Sequence, residues 1–484
     1  MVFTLAATHN VARKAGRESA RQAARDLAER EAARQIAERE IERDIAERKA
    51  AREVERDVAE REVAERDAAA GVAREVERDL PRDAVRPVRA SFDATSGASA
   101  NKCIYLDNAA TTPIDPCVLD AMNSIMTGRV VGNPHAAHHA YGASSSHMIQ
   151  VARKQVATAV GAAPSEIIFT SGATESNNML LKGLAGHLKA AGKTHIITGA
   201  VEHKSILEPL KQLEEQGFEV SVLAVKPCGM LEADMIERAL RENTGLVSVQ
   251  AVNNETGTIQ PLSEIAAVLR RRGIMFHTDA SQALGKIPFA VTEAGVDFAS
   301  LSAHKVYGPQ GIGALYIKEE RFDLLQPWSS GGGQERGLRS GTLPVALCVG
   351  FGMACAIIDE DRPRLQSLRN AFLEKIRTLN PIVHGHKDPE WNVPGILNLR
   401  FPGIDSETLV MALPQLAFGQ GAACNATGVR TSHVIKATTG SEQSAKEAIR
   451  LSFGRFTTSE DVAAAAEQIV AAVTEIRQLQ EGMA

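Results

Sequence analysis

Cysteine is sparse in this chain of 484 residues. The six present (Cys103, Cys117, Cys228, Cys348, Cys355, Cys424) are scattered, with no C-x-x-C pair. That usage suits a reducing compartment and speaks against a disulfide framework. Long apolar runs are missing too. The longest, Ala346–Ile358, has 13 residues and two glycines, short of the roughly 20 a membrane-spanning helix needs. It reads as a core helix, with Cys348 and Cys355, seven apart, buried on one face. Nor is there an excess of positive charge. A formal net charge of −5 argues against nucleic acid as the main partner. No apolar core for a secretory signal is visible. The first 25 residues hold five basic residues against one acid, Glu18, faintly like a transit peptide, but the acid-rich continuation speaks for a cytoplasmic enzyme.

What is present divides the chain. Its length predicts two domains and an appendage, and 44% hydrophobic residues suffice for a sizeable core. Between residues 17 and 90 there is one glycine, Gly71, in an Ala/Arg/Glu-rich text with an imperfect repeat: REIERDIAER from Arg39, REVERDVAER from Arg52, REVERDL from Arg74. Opposite charges at helical spacing, such as Asp57–Arg61, each contribute only ~0.2–0.5 kcal/mol, and the Ile41/Ile45 and Val54/Val58 pairs keep no heptad register. Residues 1–100 are therefore read as a charged helical or disordered extension and linker, with docking as its sharper role.

From Ile104 onward short apolar runs alternate with helical patterns, the mark of a mostly parallel sheet covered by helices on both faces. Five runs each end in a polar cluster. Ile167–Phe169 leads into TSGATESNN, His195–Val201 into Glu202-His203-Lys204, and Leu246–Val252 into Asn253-Asn254-Glu255. Ile274–His277 leads into Asp279-Ala280-Ser281-Gln282, and Phe298–Leu301 into Ser302, His304 and Lys305. Ligands bind at the carboxyl edge of such a sheet. A lysine there is partly desolvated, which frees its amine for Schiff-base chemistry. Hydroxyl, imidazole and N–H groups beside it suit a phosphate. A helix opening at Ala173 or Thr174 adds an anion seat, Asp279 can pair with a protonated pyridine nitrogen, and His203 can stack and shuttle protons. Together these residues point to lysine-bound pyridoxal phosphate.

His135, His138 and His139 lie in NPHAAHHAYG without a nearby carboxylate or cysteine, so a substrate-entrance loop is favoured over a metal site. Past Ile317 come a glycine-rich loop, Gly331–Thr342, and the apolar helix. A second alternation follows: a charged helix to Lys375, strands at Gly395–Phe401 and Ala448–Phe453, a helix at Glu407–Leu413, and a closing helix from Ser459. It predicts a smaller α+β domain over 361–484 with 101–114, beside a large cofactor-binding domain over 115–360. Cys424 alone among the cysteines sits in a small-residue loop, GQGAACNATG, where a thiolate could attack sulfur.

From Ile104 to the C-terminus the chain resembles cysteine desulfurases of the NifS/IscS type, in the class V aminotransferase-like family. The motifs IYLDNAATTP, FTSGATESNN, VEHKSIL, VNNETGTIQP, HTDASQALGK, SAHKVYGPQGIGALY, GGGQERGLRSGT, AAC and IRLSFGRFTT match in order. The resemblance implies the PLP-dependent transferase fold of type I. It makes Lys305 the Schiff-base lysine, Asp279 the ring-nitrogen partner and His203 the proton shuttle. Asn254 and Gln282 would contact the ring hydroxyl side, with Asn254 also near the substrate carboxylate, and Ala173, Thr174, Ser302 and His304 would hold the phosphate. Thr342 would reach the phosphate of the other subunit of a homodimer. Arg450 would clamp the carboxylate of L-cysteine, and Cys424 would take its sulfur as a persulfide for an acceptor or scaffold protein in iron–sulfur cluster or thiocofactor synthesis. No intrinsic metal is implied beyond Cys424 as a transient iron–sulfur ligand. The sequence departs at the nucleophile: S-x-A-C-x-S is here Gly421-Ala422-Ala423-Cys424-Asn425-Ala426, which puts the loop contacts and the acceptor in question. Selenocysteine lyase, and a scaffold acting through the N-terminal helix, are the competing expectations.

Overall fold

The computed structural model describes residues 103–129, 132–358, 361–420 and 431–483. The extension expected over 1–100 lies outside them, and so does Cys424. In chain order the strands are β1 (Ile104–Tyr105), β2 (Ile167–Thr170), β3 (His195–Gly199), β4 (Glu219–Leu223), β5 (Thr244–Ser248), β6 (Met275–Asp279), β7 (Phe298–Ser302) and β8 (Gly313–Ile317). Then come β9 (Ile382–His384), β10 (Ile396–Arg400), β11 (Leu416–Ala417), β12 (Gly419–Gln420) and β13 (Ala448–Ser452).

Seven of them form one sheet in the order β2-β8-β7-β6-β5-β3-β4. The pairings from β7 through β6, β5 and β3 to β4 are parallel, and β8 pairs antiparallel with both neighbours. Only β8 therefore runs backwards, and the five predicted strands all end on the same edge. Side chains alternate between two apolar faces, as a doubly covered sheet requires. Ile167, Phe169, Ile197, Val247, Phe276, Ala299 and Leu301 join one buried cluster. Ile168, Ile196, Leu246, Met275, Phe298 and Leu315 join another.

Helices α1 (Ala140–Ala159), α2 (Ala173–Ala190), α3 (Lys204–Glu215), α4 (Leu262–Arg272) and α5 (Val345–Ala356) cover the sheet. The first face packs against Ile149 and Val156 of α1, Ile265 of α4 and Phe351 of α5. The second packs against Leu180 of α2 and Leu210 of α3. Cys348 and Cys355 are buried in α5, with their thiols pushed up by burial, Cys348 to about 12.

A second sheet, β12-β13-β10-β9, is antiparallel, and β1 pairs parallel with β11 beside it. One face of this sheet, Leu397, Leu399, Ile449 and Leu451, packs on Phe372 of α6 (Arg362–Lys375) and Ile469 of α8 (Ser459–Met483). Between β12 and β13 lies α7 (His433–Thr439), opened by Ser432, whose Oγ accepts from the Ile435 N–H. Among the described residues no helix is long and apolar enough to cross a membrane.

Candidate active site

At the carboxyl edge of the large sheet lies a cavity of about 450 Å³ lined by Ala173, Thr174, His203, Asn254, Asp279, Gln282, Ser302, His304, Lys305 and Arg450. All the predicted site residues therefore meet there except two. Thr342 is exposed and is not among the lining residues; Cys424 lies outside the described residues.

Asp279 closes β6 and is buried. Its Oδ1 accepts from the Ser281 N–H (3.0 Å) and hydroxyl (2.5 Å), and its Oδ2 accepts from Asn177 Nδ2 (2.8 Å). Asn177 also donates to Ser205 Oγ at 2.8 Å. The Ser205 N–H in turn donates to His203 Nδ1 at 3.1 Å, so His203 caps α3. Because Nδ1 accepts, the neutral ring carries its proton on Nε2. His203 faces open cavity on one side, yet surrounding protein lowers its pKa by desolvation, against the pull of Asp279.

Lys305 follows β7 in a single 3₁₀ turn, and its Nζ donates to the carbonyls of Ala109 (2.7 Å) and Ala110 (2.6 Å). Burial, then the Arg450 guanidinium, brings its amine down to about 8. Lys286, beneath it, donates to the Lys305 carbonyl and is itself lowered to about 7 by burial and by Lys305. His304 meets Thr111 Oγ1 at 3.2 Å and is held near 4 by burial and the two lysines, which keeps the ring neutral at physiological pH.

Helix α2 starts at the cavity wall after Gly172, whose φ of +151° disfavours a side chain and whose missing Cβ would stand 4.0 Å from Ser302 Oγ. First-turn N–H groups of a helix have no intrahelical acceptor, so they form an anion seat. Arg450 on β13 donates to the Asn254 carbonyl at 3.0 Å and to Asp107 Oδ1 at 2.7 Å, leaving Nε unpaired. Gly419 lies opposite Arg450, and a Cβ there would stand 3.0 Å from Nη2.

Pyridoxal phosphate fits this set. Gln282 donates to the Ala109 carbonyl but leaves Oε1 buried and unpartnered. Gly172 leaves backbone bare at the anion seat, and a carboxylate and an amine of lowered pKa share the cavity.

The family model for class-V aminotransferases matches residues 104–464. The mitochondrial cysteine desulfurase of Arthroderma benhamiae is 45% identical over 392 residues, covering 80% of this chain and 77% of that one. The chain belongs to this family. Its cofactor is accordingly pyridoxal phosphate, on the transferase fold of type I. Among solved structures, a NifS-like protein superposes with a TM-score of 0.71 at 35% identity, covering 77% of this chain and 99% of that one. A protein described as SspA in complex with cysteine gives 0.65 at 38% identity, covering 73% and 99%.

Several residues of this cysteine desulfurase family member escaped the sequence reading. Asn177 and Ser205 lie inside FTSGATESNN and VEHKSIL but carry no role there, and the Ala109 and Ala110 carbonyls are backbone atoms without a side-chain signature. Glu202 and Glu255 are buried carboxyls near the cavity. Burial pushes the Glu202 pKa well up, and raises Glu255 to about 7 although Ser432 donates to its Oε2. None of the three histidines of NPHAAHHAYG, expected on a substrate-entrance loop, lines this cavity. His139 instead caps α1 by accepting from the Gly142 N–H, and His135 lines a separate groove with Glu335. Among the described residues no group of three or more His, Cys, Asp or Glu could hold a metal ion.

Proposed function

We propose that this chain removes the sulfur of L-cysteine, giving L-alanine and a persulfide on Cys424. What carries the reading is the meeting of Lys305, Asp279, His203 and Arg450 in one cavity, in a chain whose relatives are cysteine desulfurases. Bound pyridoxal phosphate supplies an aldehyde for amines to capture and a cationic ring that withdraws electrons. Lys305, with its pKa near 8, has a reactive share of free amine at neutral pH and serves as the cofactor's lysine. Asp279, braced by Ser281 and Asn177, would pair with the ring nitrogen. Asn254 and Gln282 serve the ring hydroxyl side. Ala173, Thr174, Ser302 and His304 hold the phosphate, and Thr342 reaches that of the second subunit in a homodimer.

Arg450 binds the substrate carboxylate, with Asn254 beside it. His203, its Nδ1 fixed by Ser205, moves protons at Nε2. The Cys424 thiolate attacks the substrate sulfur; the carbon–sulfur bond breaks, its electron pair stays with carbon, and a proton completes alanine. Gln420 and His433, on either side of the stretch holding Cys424, both line the adjoining cavity of about 850 Å³, which supports this role. The persulfide then passes to an acceptor or scaffold protein for iron–sulfur clusters or thiocofactors. Residues 115–360 form the cofactor domain, 361–484 with 101–114 the smaller one, and 1–100 the extension. The cytoplasm is the compartment the cysteine usage favours.

Peptide mass spectrometry after incubation with L-cysteine tests this reading. A gain of one sulfur on Cys424, absent in Cys424→Ala, is the expected result. Sulfide release undiminished in Cys424→Ala, with no added sulfur in the wild type, would replace it with a lyase.

A further inference from the structure

The small sheet has an apolar face, described above, and a second face that is unusual. Three residues stand side by side on it in antiparallel register: His384 on β9, Asn398 on β10 and Arg450 on β13, with Gly419 of β12 beyond. Register partners on neighbouring strands share a face and bring their Cβ atoms within about 4.5–5.5 Å. Asn398 is 0% exposed, and His384 and Arg450 are 9% exposed each. Yet His384 Nε2, both amide atoms of Asn398, and Arg450 Nε have no protein partner.

An orphaned buried polar atom carries the full cost of its lost hydration, and native structures contain few. Four in one row are not an accident of packing, since a leucine at 398 would fill the same strand position at no such cost. The row ends on the residue assigned to the substrate carboxylate. Its Nη1 and Nη2 are already held by Asn254 and Asp107, so Nε is the side of the guanidinium still to be fixed. His384 is kept neutral, near 4, by burial and by Arg400, so it adds no second positive charge beside Arg450.

We propose that Asn398 is a positioning residue for Arg450, bridging to its Nε through bound water shared with His384. Its amide oxygen accepts, through that water, what Nε donates, and this fixes the plane of the guanidinium for the incoming carboxylate. The inference rests on the proposed role of Arg450.

The test is steady-state kinetics on holoenzyme, with the binding of L-alanine followed by the cofactor's absorbance. Asn398→Leu is expected to raise KM for L-cysteine and weaken L-alanine binding by about 10-fold, the loss of one charge-assisted hydrogen bond, leaving kcat within about twofold. Asn398→Asp, which keeps an acceptor, is expected to recover most of that loss. Should Asn398→Leu fold poorly, His384→Leu at the far end of the row must show the same split on a smaller scale. Unchanged KM and L-alanine affinity in Asn398→Leu, or an equal fall in kcat, overturns the proposal. Arg450→Met separates the two ideas: if it too leaves KM unchanged, the role given to Arg450 fails, whereas a raised KM there with a normal one in Asn398→Leu defeats only the bridge.

Discussion

Burial does most of the electrostatic work on single residues in this cavity. Desolvation is the leading cause for Lys305, His203 and His304, and it acts in one direction, toward neutral bases. Glu255 shows the same force on a carboxyl. Its folded pKa, about 7, lies above the ordinary value, so its contribution to stability is full in acid and is lost as pH rises through about 7. Glu255→Gln removes that titration while keeping an acceptor for Ser432. Between about pH 5.5 and pH 8 the melting temperature of the variant is expected to fall less than that of the wild type, by roughly a few degrees. Parallel curves would mean that Glu255 is ionised throughout. The residues legible in the sequence were those whose side chains chemistry marks out at strand ends. Those that were not, Asn177, Ser205 and the Ala109 and Ala110 carbonyls, act by bracing a neighbour or through backbone, and composition gives them no distinguishing mark.

Strands were easier to read than their directions. The run Gly313–Ile317 is plainly apolar, but nothing in it says that β8 opposes both neighbours, because direction depends on connection length and tertiary pairing. The three residues of β9 and the short α7 were missed, being too brief for periodicity to register. The glycine-rich loop hid a different feature. Its Glu335 is buried, pairs with both terminal nitrogens of Arg153 on α1 (2.6 and 2.9 Å), and accepts from the Phe169 N–H on β2. One carboxylate thus joins a loop, a helix and an edge strand 166 or more positions away. Glu335→Ala leaves a buried guanidinium without its carboxylate, hydrogen-bonded only to the Ile167 carbonyl, and is expected to cost about 3–5 kcal/mol, read as a lower urea midpoint with unchanged slope. A loss under about 1 kcal/mol would place the pair among solvated surface bridges.

For the molecule as a whole, Ser99–Ala484 forms one compact unit, and both sheets, their helices and the cavity lie within it. A chain beginning at Ser99 is expected to keep the cofactor's absorbance and to turn over cysteine within about twofold of the full chain. A larger loss, measured side by side, would give the extension a part in catalysis. Within that unit the segment after β1 has distant partners. Asn108 donates to the Ser452 carbonyl, 344 positions on, Thr112 to that of His304, and Ala109 and Ala110 receive Lys305. During synthesis, then, the first piece of the pocket to leave the ribosome must wait for nearly the last. Until Ala448–Ser452 has emerged the pocket lacks a wall, so vitamin capture belongs to the finished polypeptide, and a message broken before codon 448 would yield protein unable to take colour.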